Sequence, residues 1–164
     1  MELLGYEVVS IEKPQEAQLI LGHAGFIKTI EDLYEAMVNT VPSAKFGIAF
    51  AEASGPCLVR SEGNDTVLAK KAERNILNVG AGHTFLILFT GAYPINVLNA
   101  VKAINEVARI YCATSNPVQV LVAKTKQGRG VMGVVDGSPS KGIESKKEKA
   151  ARKKLLRDIG YKLR

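Results

Sequence analysis

Two histidines are present in 164 residues, and each sits among glycines beside an apolar run. The more suggestive is His83 in "NVGAGHTFLILF", residues 78–89. Gly80 and Gly82 carry no side chain where the chain enters that run, so a ligand can approach the backbone closely. Strand ends are also where sheets flanked by helices keep their sites. Imidazole acts as acid, base or nucleophile near neutral pH. The competing reading makes Gly80 a helix C-cap and His83 an ordinary strand-edge residue. His23, in "LGHAGF", offers the same choice. Neither histidine has a second His or a Cys at ligand spacing, so no metal site is expected.

Three further segments gather polar groups. In "EASGPCLVRSEGND" (52–65), Glu52, Ser54, Arg60, Glu62, Asn64 and Asp65 surround Gly55, Pro56 and Gly63. Loops of this composition between apolar strands carry function. Arg60 can hold a phosphate bidentately, and Asn64 or Asp65 can bind a ribose or a base edge. Ser54, Gly55 and Gly82 join them as candidate ligand-binding positions. The alternative is two turns and a helix cap. In "GAYPINVLNA", the helix opened by Pro94 has free N–H groups for an anion. Asn96 and Asn99 share one of its faces, placed to read a purine edge or simply to meet water. In "QGRGVMGVVDGSPS", Gly128 and Gly130 around Arg129 read as a tight hairpin turn. Asp136 at the following strand end can orient a histidine or a ribose. The chain has no Walker A loop. "GAGHTF" lacks the third glycine of the dinucleotide fingerprint and runs from helix to strand. Neither a conventional ATP-binding kinase nor a Rossmann dehydrogenase is supported.

The elements that must position these residues alternate in type. "GYEVVSIEK" and "AQLILGHAG" read as strands. "TIEDLYEAMVNTVP" reads as a helix, with Thr29 as N-cap and Pro42 at the exit. "KFGIAFAEA" and "GPCLVR" are strands, the second ending at the turn "SEGND". Asn64 or Asp65 caps a helix that reaches about Asn78 and stops at Gly80. "HTFLILF" is apolar enough to be a central strand covered on both sides. Pro94 opens the helix "PINVLNAVKAIN". "VARIYCAT" and "VQVLVAKT" lie too close together for a crossover helix, which predicts an antiparallel hairpin. The tail "SKKEKAARKKLLRDIGYKLR" is a helix over about 144–159, with Ser145 and Glu148 at capping-box spacing. Its apolar stripe is Ala151, Leu155, Leu156 and Ile159. The expected architecture is α/β (α+β): one domain over residues 1–164, with one mixed sheet covered by about four helices.

Composition narrows the function classes. A hydrophobic fraction of 46% is ample for a core. The longest apolar run, Phe85 to Phe89, is far short of a membrane span, and the start "MELLGYEVVSIEKP" lacks a secretory pattern. Cys57 and Cys112 do not make a disulfide framework, so a reduced cytoplasmic protein is expected. The net charge of +6 resides in the tail: residues 141–164 hold ten Lys or Arg against Glu144, Glu148 and Asp158. The remaining body is close to neutral, unlike a fold that lays one basic face on nucleic acid. The tail is then a solvated helix face serving fold or assembly, and a nucleic-acid partner is not expected.

Taken together, "KFGIAFAEASGPCLVRSEGND", "GAGHTFLILFTGAYPINVLNAV", "RIYCATSNPVQVLVA" and "QGRGVMGVVDG" resemble the adenosine-specific kinase family of small archaeal and bacterial proteins. The resemblance runs from about Val8 to Tyr161. It implies an α/β fold assembled as a homo-oligomer, a trimer or larger. It implies binding of adenosine and AMP rather than ADP or ATP. No cofactor is assigned from the sequence beyond adenosine or AMP as the ligand. It also implies a phosphorylatable histidine at the position of His83. The leading expectation is an adenosine- and AMP-binding phosphotransferase working through a phosphohistidine. The alternative is a non-catalytic AMP or adenosine sensor.

Overall fold

A strand that is apolar at nearly every position needs cover on both faces. Thr84–Thr90 obtains it at the middle of a five-stranded sheet. The computed structural model describes residues 4–163. Its strands are β1 (Gly5–Ser10), β2 (Gln18–Ala24), β3 (Lys45–Ala51), β4 (Val59–Gly63), β5 (Thr84–Thr90), β6 (Val107–Thr114), β7 (Val118–Lys124) and β8 (Arg129–Asp136). Its helices are α1 (Thr29–Thr40), α2 (Thr66–Val79), α3 (Pro94–Lys102) and α4 (Lys146–Asp158). The larger sheet has the order β4-β3-β5-β2-β6 and the smaller β1-β7-β8. Side chains of β5 alternate between two cores. Phe85, Ile87 and Phe89 pack with Phe46, Ile48 and Phe50 beneath Leu33, Met37, Val97 and Val101 of α1 and α3. Leu86 and Leu88 face α2, through Leu68, Ala72 and Ile76, and the smaller sheet, through Val118, Val120 and Val122. Each such fully buried side chain contributes about 1.5–3 kcal/mol.

The α+β class and the four helices agree with the sequence reading, but the single mixed sheet does not. Among the described residues there are two sheets, and every pairing in them is antiparallel. The predicted hairpin of β6 and β7 is also absent. β6 pairs with β2 in the larger sheet, while β7 lies between β1 and β8 in the smaller. Their short connection carries the chain from one sheet to the other. The reason is visible in β7, which buries Val118, Val120 and Val122 and exposes Gln119 and Leu121. That one-sided pattern suits a sheet laid over the shared core rather than an extension of the larger sheet.

Boundaries shift for local reasons. β4 begins only at Val59 and continues through Gly63, because Pro56 and the positive φ of Gly55 and Cys57 hold the preceding residues out of the ladder. Lys28 rather than Thr29 is the N-cap of α1, and the Thr29 hydroxyl accepts the Phe26 N–H at 3.2 Å. Asp65 caps α2 by accepting the N–H groups of Val67 and Leu68, both at 3.0 Å. Gly80, at φ 62°, ends that helix in the left-handed region.

The tail helix α4 has the expected capping box between Ser145 and Glu148. None of its residues is buried, however, and Leu155 and Ile159 remain more than half exposed. Leu156, Ile159 and Tyr161 line an open cleft together with Tyr93, Pro94 and Ile95. No helix among the described residues is long and apolar enough to cross a membrane.

Candidate functional site

His83 adopts φ 63°, a conformation few side chains accept. Two backbone bonds hold it there. Its N–H donates to the Ala51 carbonyl at the end of β3, at 2.7 Å, and its carbonyl accepts the N–H of Ala24 on β2, at 2.9 Å. The left-handed turn breaks the side-chain alternation of β5 and swings the imidazole onto Phe50. The two rings stack with centroids 5.9 Å apart and planes inclined by 14°. Gly82 must be bare for this turn, because a Cβ there would lie 2.7 Å from that of Ala53.

Glu52 follows directly after β3 and faces this ring. Its Oε1 lies 3.9 Å from His83 Nε2 and accepts the N–H of Ala53 at 2.9 Å and the Ser54 hydroxyl at 3.4 Å. Its Oε2 pairs with the Arg60 guanidinium at 3.1 Å. Arg60 is fixed further by donating to the Ile27 carbonyl at 3.1 Å. The backbone bond from Ala53 holds the Glu52 carboxyl below its ordinary range, and the charge of Arg60 acts in the same direction against partial burial. A carboxylate therefore stands beside the imidazole at neutral pH.

His23 contributes a second ring, edge-on to His83 with centroids 5.7 Å apart. Burial first, then the charges of His83 and Arg109, keep its pKa below the usual value for histidine. Strand register explains the grouping, since Thr84, His23 and Arg109 are consecutive cross-strand partners on β5, β2 and β6. The end of the larger sheet thus presents two imidazoles, a carboxylate and two guanidinium groups. Such a set can position and stabilise an anion that is made or broken at a ring nitrogen.

Of the residues singled out in the sequence, His23, Glu52, Ser54, Arg60, Gly82 and His83 meet here, with Gly55 in the same exposed loop. The other candidates lie elsewhere, most of them bonded within the fold. Asn64 bridges to β3, accepting the Phe46 N–H and donating to the Ala44 carbonyl, both at 2.8 Å. Asp65 is the α2 cap. Asn96 accepts the Tyr93 N–H at 2.9 Å at the start of α3, and Asn99 is exposed on the same helix. Asp136 accepts from the Asn116 amide at 3.0 Å, at the opposite end of β8 from Arg129.

Sequence reasoning passed over Glu52 as a partner of His83, Phe50 as its stacking surface, and Arg129. The Arg129 guanidinium donates to the Val79 and Asn78 carbonyls at 2.8 and 3.0 Å and pairs with Glu7 at 3.0 Å. It therefore closes the end of α2 just before the loop that carries His83. A groove of about 610 Å³ opens beside Glu52 and Gly82, between the 52–57 loop, the end of α2 and the β7–β8 hairpin. That volume suits a small organic ligand. Cys57 is exposed on its wall, whereas burial pushes the Cys112 thiol up to about 12. Among the described residues, no cluster of three or more His, Cys, Asp or Glu side chains is placed to hold a metal ion.

A model of the family described as adenosine specific kinase matches residues 9–162. Among solved structures, that of the PH1918 protein from Pyrococcus horikoshii OT3 is similar, with a TM-score of 0.95 and 47% identity. The match covers 99% of this chain and 100% of that one. No curated protein sequence matches the chain. From Val9 to Lys162, with the histidine-bearing sheet end inside that span, the chain belongs to the adenosine-specific kinase family.

Proposed function

We propose that this protein binds adenosine or AMP and exchanges a phosphoryl group with it through His83. The observation that carries this reading is the strained, doubly tethered His83, stacked on Phe50 with the ionised Glu52 beside it. Strain held by the surrounding structure is found at sites where geometry matters to function. In the direction of AMP formation, the P–N bond of phosphohistidine breaks and its electron pair returns to the imidazole. The ribose 5′-oxygen forms the new P–O bond, and its proton passes to the imidazole. With a proton already on the other ring nitrogen the ring ends as imidazolium, and the Glu52 carboxylate beside it stabilises that positive charge. Arg60, which keeps further N–H donors beyond those it shares with Glu52 and Ile27, faces the transferring oxygens. Phosphoryl transfer needs little more than such positioning and charge stabilisation.

The groove beside Glu52 and Gly82 is the natural place for the nucleoside. Family membership supports adenosine as the ligand, and no phosphate-cradling loop for a triphosphate is present in the sequence. Calorimetry with adenosine, AMP, ADP and ATP tests the reading. Adenosine and AMP are expected to bind at least about tenfold, or 1.4 kcal/mol, more tightly than ATP. Equal or tighter ATP binding overturns it. Ligand binding without any phosphohistidine would instead favour a sensor.

The exposed apolar side of α4 supports a homo-oligomer. Leu155 and Ile159 remain more than half exposed within one chain, and covering what is left by a neighbouring copy would contribute up to about 1.5 kcal/mol each. The surrounding Lys and Arg side chains can stay in water. Deleting residues 144–164 is expected to lower the particle mass measured by light scattering to that of fewer protomers, while circular dichroism of the remaining body is preserved. An unchanged number of protomers per particle would refute this role. An RNA affinity of the full chain that falls steeply with salt would point to a nucleic-acid partner instead.

A further inference from the structure

We infer that Arg129 recognises the nucleoside by offering the plane of its guanidinium to the purine ring. This rests on the nucleoside reading above and names the residue that meets the base. The turn that carries Arg129, "QGRG", stands outside the cluster around His83, and its hairpin forms one wall of the groove. A ring bound in that groove needs a flat surface to lie on. None of the described residues that line it is aromatic, and Arg129 is the one among them with a planar cation. Guanidinium planes stack with nucleobases as aromatic side chains do, and their charge adds a cation–π attraction.

The plane is fixed within the chain itself. Nε donates to the Val79 carbonyl at 2.8 Å, Nη2 to the Asn78 carbonyl at 3.0 Å and Nη1 to a Glu7 carboxylate oxygen at 3.0 Å. Lys124 pairs with the same Glu7 oxygen and holds that carboxylate in place. The N–H bonds of a guanidinium all lie in its plane, so these three acceptors orient the plane and leave its faces free of hydrogen bonds. A Cβ on Gly80 would crowd Nε at 3.0 Å and Cδ at 3.1 Å, and its absence lets the side chain lie close to the end of α2. The Arg129 side chain keeps 26% exposure and lines the groove. A platform ordered in this way adds little to the ordering cost of binding. Two N–H bonds remain at its edge, and proton shifts distinguish a ligand bonded there from one stacked on the face.

The reach fits as well. Gly82, which lines the groove with Glu52 and precedes His83, is two residues beyond Gly80, at most ~7 Å of chain. A nucleoside whose 5′-oxygen faces His83 can therefore rest its base on the hairpin side of the groove.

Arginine labelled with ¹⁵N and ¹³C, assigned through the backbone, reports on the platform in the wild-type protein. Protons above the face of an aromatic ring shift upfield, and protons at its edge shift downfield. Saturation with adenosine is expected to move the Nε–H and Cδ protons of Arg129 upfield. A downfield shift, or none, overturns the stacking while leaving adenosine binding intact. AMP and ribose 5-phosphate, which differ by the base, supply a second readout. Arg129→Lys keeps the positive charge but not the plane. It should weaken AMP about tenfold and ribose 5-phosphate by less than about twofold. Equal losses for the two ligands would make Arg129 a tie for α2 alone and overturn the inference. A wild type that binds neither adenosine nor AMP overturns the nucleoside reading and this assignment with it.

Discussion

His83→Asn is expected to abolish acid-labile phosphate on the protein while leaving it folded. A phosphoramidate bond is cleaved by mild acid, and the chain holds only two imidazoles, so the measurement is direct. Intact mass of freshly purified protein should show a species heavier by one phosphoryl group that disappears on acid treatment. Asparagine is the informative replacement because it tolerates the left-handed backbone that His83 occupies. The bonds from His83 N–H to Ala51 and from Ala24 to the His83 carbonyl involve only backbone atoms and should survive. His23→Asn should retain the modification, since His23 has a ring edge-on to His83 but no carboxylate beside it among the described contacts. If His23→Asn loses the acid-labile mass and His83→Asn keeps it, the assignment of the two rings is reversed.

How far the sequence went is best judged at this same site. The glycines before His83 and the apolar run after it locate a strand entrance, and the structure has one there. Local chemistry also marks the ends of α2, because an aspartate cap and a C-terminal glycine act through bonds to their own neighbours. What sequence does not carry is which strands pair. The short link between β6 and β7 allows a hairpin, and only the one-sided burial of β7 against β1, β8 and the shared core shows why the strands part. Likewise Glu52 and His83 are separated by a helix and meet because β3 and β5 are neighbours in the sheet. No spacing rule links them. Asn64, Asp65 and Asn96 read from sequence as candidates both for ligands and for helix ends, because short polar side chains serve the two equally well, and each makes a bond at a helix end or to a neighbouring strand.

The positioning of this site depends on a glycine that lies outside it, and Gly47→Ala is expected to be among the most destabilising single substitutions in the chain. Gly47 lies in β3, opposite Gly63 on β4 and Leu88 on β5. A Cβ at this position would come 2.0 Å from the Ala69 nitrogen, 2.3 Å from the Leu68 carbonyl carbon and 2.4 Å from the Ala69 Cα. These are backbone atoms of α2, and no rotamer change can move them aside. The helix would have to retreat as a body, pulling Leu68, Ala72 and Ile76 away from Ala49, Leu86 and Leu88. The Asn64 bridge, which ties the start of α2 to Phe46, opposes that movement. Overpacking against an immobile neighbour places the cost at about 3 kcal/mol or more. In a chain of this size that corresponds to a fall in melting temperature on the order of 10 °C. The far end of α2 leads through Gly80 into the His83 turn, so any surviving folded protein should also lose adenosine affinity. Gly133→Ala in β8 is the matched control. A Cβ there meets nothing within 4 Å and the backbone is not left-handed, so stability should change by no more than about 0.5 kcal/mol. Thermal unfolding of both variants decides the matter. Equal melting temperatures would mean that α2 does not rest on Gly47 as closely as these distances require.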